Sequence, residues 1–419
     1  MNYVLGLKCI HCGQELEAGK GIYTCPSCGS EAGILDVIYD YKAIKRDFRR
    51  EDMSNNREQT LFRYMPFLPV QPESKRPHLR IGWTPLYKPE GLGKSLGMSR
   101  LYVKDDGQNA TASLKDRASV IAVVRAAEEK MTTIACSSTG NAASSLAGSA
   151  AAMGMRTFIF VPGRAPQGKV AQLLIFGANV ISVQGNYADA FRLSAAAIDR
   201  WGWYNRNAAI NPYLVEGKKT VALEIAEQLN WQVPDWVALS VGDGCTIAGV
   251  WKGFKDLYEV GWIDKLPHLL GVQSTGCSPL TDAFLENKPW QPAEENTLAD
   301  SIAVGVPRNP DKALKAVRES GGTMAAVTDD EILEAMRFLG RTSGIFGEPA
   351  GVTGTAGLVK LLKQGKIHPD EKIVSIVSGN GLKDVNNAIA AAGEPIKVEP
   401  VMDKLVEELN QRNLLEDLN

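Results

Sequence analysis

A lysine at the start of a predicted helix is the first candidate for chemistry in this chain. Lys115 lies in the segment SLKDR, where Ser113 and Asp116 have the spacing of a helix capping box. The pattern predicts a helix from Leu114 to about Glu129, with Lys115 in its first turn. The positive end of the helix dipole disfavours an ammonium there and favours the neutral, nucleophilic amine. A first-turn lysine is more often a solvated surface charge, so other residues must support this interpretation.

A loop that contains two glycines is a candidate anion site. The apolar run 237–241 predicts a buried strand, and a helical stretch follows from Ile247 to about Tyr258. Glycines between a strand and a helix let backbone N–H groups approach an anion, although such a loop can also be a tight turn without a ligand. Ile247 replaces the third glycine of a dinucleotide fingerprint, and GKKT at 217–220 lacks the upstream glycine of a nucleotide P-loop. The loop consists of Gly242, Asp243, Gly244, Cys245 and Thr246.

A second polar loop, SSTGN, completes the pattern. Ser137, Ser138 and Thr139 follow a predicted strand, and Asn141 opens the next predicted helix. The three hydroxyl residues by themselves are typical of a helix N-cap cluster. Pyridoxal phosphate requires an amine for its aldehyde, backbone donors for its phosphate and polar groups around its ring. The lysine and the two loops together therefore point to this cofactor.

Five motifs, in order, resemble those of the threonine synthase family. They are SLKDR, SSTGN, AQLLIFGA, the EGKKT that follows Asn211-Pro212, and SGNGLKD at 378–384. The similarity extends from about Trp83 to Asp384. It implies an α/β protein with the two parallel-sheet αβα domains of fold-type II pyridoxal phosphate enzymes. The implied activity is that of a lyase in threonine biosynthesis, which converts O-phospho-L-homoserine and water to L-threonine and phosphate by β,γ-replacement.

The resemblance also assigns roles around the cofactor. It implies that Lys115 bonds covalently to the aldehyde, that Asn141 hydrogen-bonds the 3-hydroxyl and that residues 242–246 hold the phosphate. Ser378 would face the pyridine nitrogen, and a neutral hydroxyl leaves that nitrogen largely unprotonated. Glu348 resembles an acidic residue that the family keeps near the cofactor.

The substrate has two anionic groups to bind in this interpretation. The resemblance implies that Ser137, Ser138 and Thr139 grip its carboxylate. The candidates for its phosphate are Lys169, Asn186, Arg192 and Asn207. The arginine and lysine at these spacings are otherwise typical of helix surfaces.

Departures from the family pattern leave other chemistries open. Ala112 and Leu114 precede Lys115 where the family commonly has glycine and phenylalanine, and Cys245 and Thr246 stand where an asparagine is frequent. A threonine or serine dehydratase would retain the cofactor residues and release ammonia and a 2-keto acid. A β-replacement enzyme, such as a cysteate synthase-like paralogue, would use a nucleophile other than water.

Four cysteines near the N-terminus have the spacing of a zinc ribbon. Two CxxC pairs are separated by twelve residues, and each pair is followed by glycine. This spacing favours a tetrahedral structural zinc over two disulfides or isolated thiols, and four thiolates leave no open position for substrate. The predicted ligands are Cys9, Cys12, Cys25 and Cys28. Some ribbons bind nucleic acid, but the charge around this one is scattered.

Composition sets the expected context of the enzyme. The chain has 419 residues, 44% hydrophobic content and a net charge of -2, which gives no bias toward nucleic acid or membranes. It has no signal-peptide pattern, and seven cysteines without a regular disulfide framework favour a reducing compartment. We therefore expect a cytoplasmic enzyme with a small-molecule amino-acid substrate, no nucleic-acid partner and a homodimeric assembly.

The alternation of predicted strands and helices from about Leu101 indicates parallel sheets covered on both faces. We expect a zinc ribbon at residues 1–40. The resemblance implies a large cofactor-binding domain formed by residues 41–110 and 216–419, and a small mobile domain at residues 111–215. The cofactor would lie between these two domains.

Overall fold

Three sheets organise the residues that the computed structural model describes, which are 3–163 and 167–415. The ends of the predicted ribbon and large domain, residues 1–2 and 416–419, lie outside this described part. The strands are β1 (Val4–Cys9), β2 (Glu15–Leu16), β3 (Leu35–Tyr39), β4 (Leu86–Tyr87), β5 (Leu101–Asp105), β6 (Thr133–Ser137), β7 (Arg156–Pro162), β8 (Asn179–Val183), β9 (Tyr204–Asn205), β10 (Trp236–Ser240), β11 (His268–Ser274), β12 (Thr323–Val327) and β13 (Ile373–Val377).

Helices cover the faces of the two larger sheets. Short 3-10 helices lie at Arg50–Asn55, Leu61–Phe67, Asp106–Gln108, Asp300–Ile302 and Gly381–Lys383. The α-helices are α1 (Gly29–Ala32), α2 (Tyr41–Asp47), α3 (Glu90–Ser95), α4 (Lys115–Glu128), α5 (Asn141–Met153), α6 (Gln167–Ile175), α7 (Tyr187–Trp201), α8 (Tyr213–Lys218), α9 (Thr220–Gln228), α10 (Cys245–Glu259), α11 (Pro279–Leu285), α12 (Pro310–Glu319), α13 (Asp329–Ser343), α14 (Pro349–Lys363), α15 (Val385–Ala392) and α16 (Met402–Gln411).

The predicted parallel α/β architecture is confirmed. The six-stranded sheet has the order β12-β11-β10-β13-β5-β4 and is parallel except at β4, and the four-stranded sheet β8-β7-β6-β9 is parallel throughout. Strand β10 pairs Val237 with Leu269 of β11 and with Val374 of β13. All three side chains are fully buried, as the continuous apolar strand pattern predicted.

The strand order brings two predicted loops to one edge of the six-stranded sheet. Strands β10 and β13 are neighbours and run in the same direction. The loop 242–246 therefore begins at the same edge as Ser378, which follows β13. In open α/β sheets this carboxyl edge is where ligands bind.

The N-terminal sheet β2-β1-β3 docks against helices α8, α10 and α12 through polar contacts. Asp36 accepts from Lys252 at 2.8 Å and from Lys312 at 3.1 Å, and the Tyr39 hydroxyl donates to Glu216 at 2.9 Å. These contacts attach the four-cysteine segment firmly to the α/β part of the chain.

One local prediction was wrong. Ser113 does not cap helix α4, because it pairs with Gly379 in an isolated β-bridge, and the Asp116 carboxylate accepts from the backbone N–H and hydroxyl of Thr111 at 2.8 and 2.7 Å. The charged segment 39–63 is not one continuous helix. It forms only α2 and short 3-10 turns, because its apolar side chains follow the surface of the larger core and lack a continuous 3.6-residue stripe.

None of the helices in the described residues combines the length and the apolar composition needed to cross a bilayer.

Candidate active site

The start of α4 places Lys115 beside Ser378. The backbone N–H of Leu114 donates to the carbonyl of Ser378 at 2.9 Å. The preceding residue, Ser113, forms an antiparallel β-bridge with Gly379, which follows Ser378. Lys115 is then the first residue of the helix. The lysine predicted to carry the cofactor and the serine predicted to face its ring nitrogen therefore belong to neighbouring, hydrogen-bonded segments.

The amine of Lys115 has a reactive character. Burial, followed by the nearby charge of Lys218, lowers its pKa to about 8, and the carboxylate of Glu348 opposes this shift. An ordinary lysine stays protonated well above neutral pH. A lowered pKa gives a larger fraction of neutral amine, which is the form that attacks an aldehyde.

Arg117, two residues after Lys115, has a structural role. Arg117 is fully buried and donates to Asp106 at 2.6 Å and to Glu224 at 2.8 Å. Burial alone raises the pKa of Glu224, but Arg117 and Lys104 lower it to about 2, so this carboxylate stays charged. The cluster anchors the first turn of α4 to β5 and α9, and it thereby holds the position of Lys115.

The glycine loop closes tightly onto the segment before α12. Gly244 has φ of +85°, and a Cβ atom there would lie 2.6 Å from the carbonyl oxygen of Asn309. The backbone N–H of Asn309 donates to the Asp243 carbonyl at 3.0 Å. Helix α10 begins at Cys245, so its first N–H groups have no acceptor from a preceding helical turn.

These features fit the cofactor that the sequence predicted. The two glycines let the loop pack closely on residues 302–313, and the α10 dipole favours negative charge at this helix start. The Asn309 side chain is 1% exposed, and both its amide atoms lack a hydrogen-bond partner in the described part of the chain. Such buried polar atoms are costly unless a ligand or water satisfies them.

The SSTGN loop is joined to the opposite side of the site by a buried hydrogen bond. The side-chain amide of Asn141 donates to Glu348 at 2.6 Å. Burial raises the pKa of Glu348, whereas the bond from Asn141 acts in the other direction. Glu348 precedes α14, and its backbone N–H donates to the carbonyl of Gly379. This contact connects Asn141 to the segment that also contains Ser378.

The predicted carboxylate loop has unused donors. The backbone N–H of Ser137 donates to Asn207 at 2.8 Å, and the hydroxyl of Ser138 accepts from Gly140 at 3.2 Å. The Ser137 hydroxyl and the Asn207 amide nitrogen are buried without a partner among the described residues. Thr139, two residues after Ser137, is half-buried. The loop therefore has polar atoms available to a ligand.

The structure does not assemble the four substrate-phosphate candidates into one cluster through mutual contacts. Lys169 forms an ion pair with Asp300, and Asn207 contacts Ser137. Asn186 is exposed and caps α7 by accepting from the Asp189 backbone at 3.0 Å, and Arg192 pairs with the same aspartate. Two of the four thus have local helix contacts.

Sequence reasoning missed two buried cations near Lys115. Lys218, in the EGKKT motif, and Arg206 are 3% and 2% exposed, and both charges lower the pKa of Lys115. Their only signal in the sequence was the position of Lys218 in a motif shared with the family. The motif matched, but nothing in the pattern indicated that one lysine faces the site while Lys219 pairs with Glu216.

The four N-terminal cysteines converge on a point. Their sulfur atoms lie within 4.8 Å of one another, with Cys9 to Cys28 at 3.9 Å and Cys12 to Cys25 at 3.7 Å. Sulfur atoms at about 2.3 Å from a tetrahedral zinc are separated by about 3.8 Å. The donor set and its spacing therefore fit such an ion.

Comparisons with known proteins agree with this site. Residues 78–379 match the family described as pyridoxal-phosphate dependent enzyme. Threonine synthase of Methanocaldococcus jannaschii is 44% identical over 95% of this chain and 98% of its own. Threonine synthase of Methanosarcina acetivorans is 42% identical over 96% and 98% of the respective chains.

Solved structures show the same fold at low identity. Threonine deaminase isoform 2 from Solanum lycopersicum superposes with a TM-score of 0.62 and 23% identity, and covers 74% of this chain and 83% of its own. Maize serine racemase gives a TM-score of 0.62 and 21% identity over 79% and 93%. The family match and the near full-length identity to threonine synthases lead to one conclusion: this chain belongs to the threonine synthase family of pyridoxal-phosphate dependent enzymes.

Proposed function

We propose that this enzyme converts O-phospho-L-homoserine and water to L-threonine and phosphate. The observation that carries the proposal is the identity to threonine synthases over nearly the whole length of both chains. The lowered pKa of Lys115 and its position beside Ser378 give this chain the amine that such chemistry requires.

We assign the cofactor contacts to four parts of the site. Lys115 would bond to the aldehyde, Asn141 would contact the 3-hydroxyl, Ser378 would face the ring nitrogen and the loop 242–246 would hold the phosphate. Pyridoxal phosphate supplies an electron sink for the carbanions of the reaction when it is bound. The glycine loop and the unsatisfied Asn309 side chain support this assignment.

The protein's own part in the reaction is proton transfer and orientation. The neutral amine of Lys115 would remove the Cα proton and then a Cβ proton of the substrate, and it would return a proton at Cγ after phosphate leaves. Addition of water at Cβ would then give threonine. Ser137, Ser138 and Thr139 hold the substrate carboxylate. We assign the substrate phosphate to Lys169 and Asn207, with Asn186 and Arg192 joining after rearrangement.

A second candidate function is that of a threonine or serine dehydratase. The local contacts of Asn186 and Arg192 favour it, because an enzyme without a phosphorylated substrate needs no second phosphate site. A single assay separates the two. Purified enzyme is incubated with O-phospho-L-homoserine, and phosphate and threonine are quantified in the same reaction. Equal amounts support threonine synthesis, whereas ammonia and a 2-keto acid from threonine or serine, with no phosphate released, support the dehydratase.

We also propose a structural zinc held by Cys9, Cys12, Cys25 and Cys28. Their sulfur spacing supports this, and four thiolates close the shell against substrate. The reduced cysteines outside this cluster are compatible with the cytoplasm, where we place the enzyme.

The assembly and domain organisation complete the proposal. The three sheets support a ribbon at 1–40, a small mobile domain at 111–215 and a large domain formed by the remainder. We propose a homodimer that uses some of the exposed apolar side chains, and sedimentation equilibrium tests it. A monomer across the concentration range would contradict the dimer.

A further inference from the structure

Lys218 is a buried lysine whose charge has no protein partner. It is 3% exposed, and its ammonium makes no hydrogen bond or ion pair within residues 3–163 and 167–415. The adjacent Lys219 is fully buried and pairs with both Glu216 and Asp256 at 2.5 Å. The contrast indicates that the Lys218 ammonium, unlike that of Lys219, is available to a group that the protein does not supply.

Helix packing places Lys218 between the predicted amine and the glycine loop. A Cβ on Gly217 would overlap the carbonyl of Arg117, so α8 lies directly against the first turn of α4. A Cβ on Gly249 would lie 3.2 Å from the Cβ of Lys218, so α10 packs on the same residue. Gly249 is about one turn beyond Cys245, where α10 begins.

The electrostatic neighbours of Lys218 agree with this position. Among the neighbouring charges that act on Lys115 and Cys245, that of Lys218 has the largest effect. It lowers the pKa of both groups, in the same direction as burial at Lys115 and in the opposite direction at Cys245. Arg206 adds a second buried cation nearby, and its guanidinium donates only to Ser119 among the described residues. Asp243 also faces both groups, but its side chain accepts from the backbone of Arg308.

We propose that the Lys218 ammonium binds the phosphate group of the cofactor at the N-terminal end of α10. The inference rests on the proposed cofactor site and adds to it a charged residue. Backbone N–H groups alone can hold a phosphate at a helix N-terminus, and an ammonium adds a charge-assisted hydrogen bond. The substrate phosphate has the same chemistry, but the packing of Lys218 on α10 favours the cofactor.

The test compares two forms of the cofactor in the full-length chain. Wild type, Lys218→Met, Lys218→Gln and Lys218→Arg are stripped of cofactor, and binding of pyridoxal phosphate and of pyridoxal is measured by equilibrium dialysis. Lys255→Met is the control, because Lys255 is an exposed lysine of α10 that pairs with Glu319. Circular dichroism shows which variants are folded. If Lys218→Met does not fold, Lys218→Gln replaces it in the comparison.

We expect Lys218→Met and Lys218→Gln to bind pyridoxal phosphate about tenfold to hundredfold more weakly than wild type, as for loss of one charge-assisted contact. At a pH above the titration of Lys115, pyridoxal should bind all variants equally, and Lys218→Arg should recover part of the affinity for pyridoxal phosphate. Unchanged affinity for pyridoxal phosphate would overturn the inference. So would an equal loss for pyridoxal, which would indicate damage to the whole site.

Kinetics separate the cofactor phosphate from the substrate phosphate. If Lys218→Gln keeps its affinity for pyridoxal phosphate but raises the KM for O-phospho-L-homoserine, the lysine serves the substrate and the inference is wrong. The binding measurements need no turnover. A chain that makes no threonine but loses cofactor affinity in Lys218→Gln would therefore contradict the proposed activity and support the role of Lys218.

Discussion

The side-chain amide of Asn141 donates a 2.6 Å hydrogen bond to the carboxylate of Glu348, 207 residues away in the chain. The bond joins the first residue of α5 to the residue that precedes α14. Both side chains are buried. Glu348 thus orients Asn141, the residue predicted to contact the cofactor. The same carboxylate opposes the lowering of the Lys115 pKa.

Glu348→Ala should lower turnover about tenfold and destabilise the fold by about 1 to 3 kcal/mol, because the buried amide of Asn141 loses its acceptor. Gly379→Ala should have a similar effect by a different route, since a Cβ there would overlap the Glu348 carboxylate. Urea unfolding and steady-state kinetics measure both effects. Full activity in both variants would show that Asn141 is oriented without Glu348.

Lys115→Ala should abolish the visible absorbance of covalently bound cofactor together with activity, because no other predicted residue supplies the amine. Lys255→Ala, an exposed lysine, should leave both unchanged. Borohydride reduction followed by peptide mapping identifies the modified residue in wild type. A reduced adduct on another lysine would disprove the assignment.

Gly244→Ala should release the cofactor and destabilise the protein. The left-handed φ costs alanine about 1 to 2 kcal/mol, and its Cβ would also press on the Asn309 carbonyl. Gly365→Ala is the matched control, because Gly365 has φ of +65° and open space around it. Thermal unfolding should show a larger loss for Gly244→Ala, and dialysis should remove cofactor only from that variant. Equal behaviour of the two would argue against a tight loop.

The rate of cofactor reloading should increase with pH through an inflection near 8. The attacking form is neutral Lys115, whose pKa is lowered to about 8 by burial and by the charge of Lys218. Removing that charge in Lys218→Met raises the pKa of Lys115, so the inflection should move to higher pH. Stopped-flow absorbance with pyridoxal avoids the titration of the cofactor phosphate. An inflection near that of ordinary lysine would show that the amine is unperturbed.

Cys9→Ser and Cys25→Ser should each lower the zinc content of the purified protein, because both sulfur atoms belong to the four-cysteine cluster. Cys277→Ser, a buried cysteine outside the cluster, is the control and should retain the metal. Elemental analysis measures zinc, and the visible spectrum reports the cofactor. Loss of activity in a folded, cofactor-loaded Cys9→Ser variant would contradict a purely structural metal.

The α/β architecture and the position of Lys115 were predictable because their signals are local. Buried parallel strands leave continuous apolar runs, and the strand ends of β10 and β13 are marked by glycine and serine. The four cysteines likewise carry their geometry in their spacing. The capping box at Ser113 was predicted wrongly, because its pairing with Gly379 depends on a strand more than 250 residues away.

The sequence by itself determined the kinds of chemistry available: an amine at a helix start, a loop flexible enough to surround an anion, and a four-thiolate cluster. Tertiary structure alone decided which distant residues act on them. Packing brings Glu348 to Asn141 and directs Lys218 toward Lys115 and α10, while the neighbouring Lys219 is neutralised in an ion cluster. No sequence pattern distinguishes two adjacent lysines, because their difference comes from burial and from partners supplied by other elements.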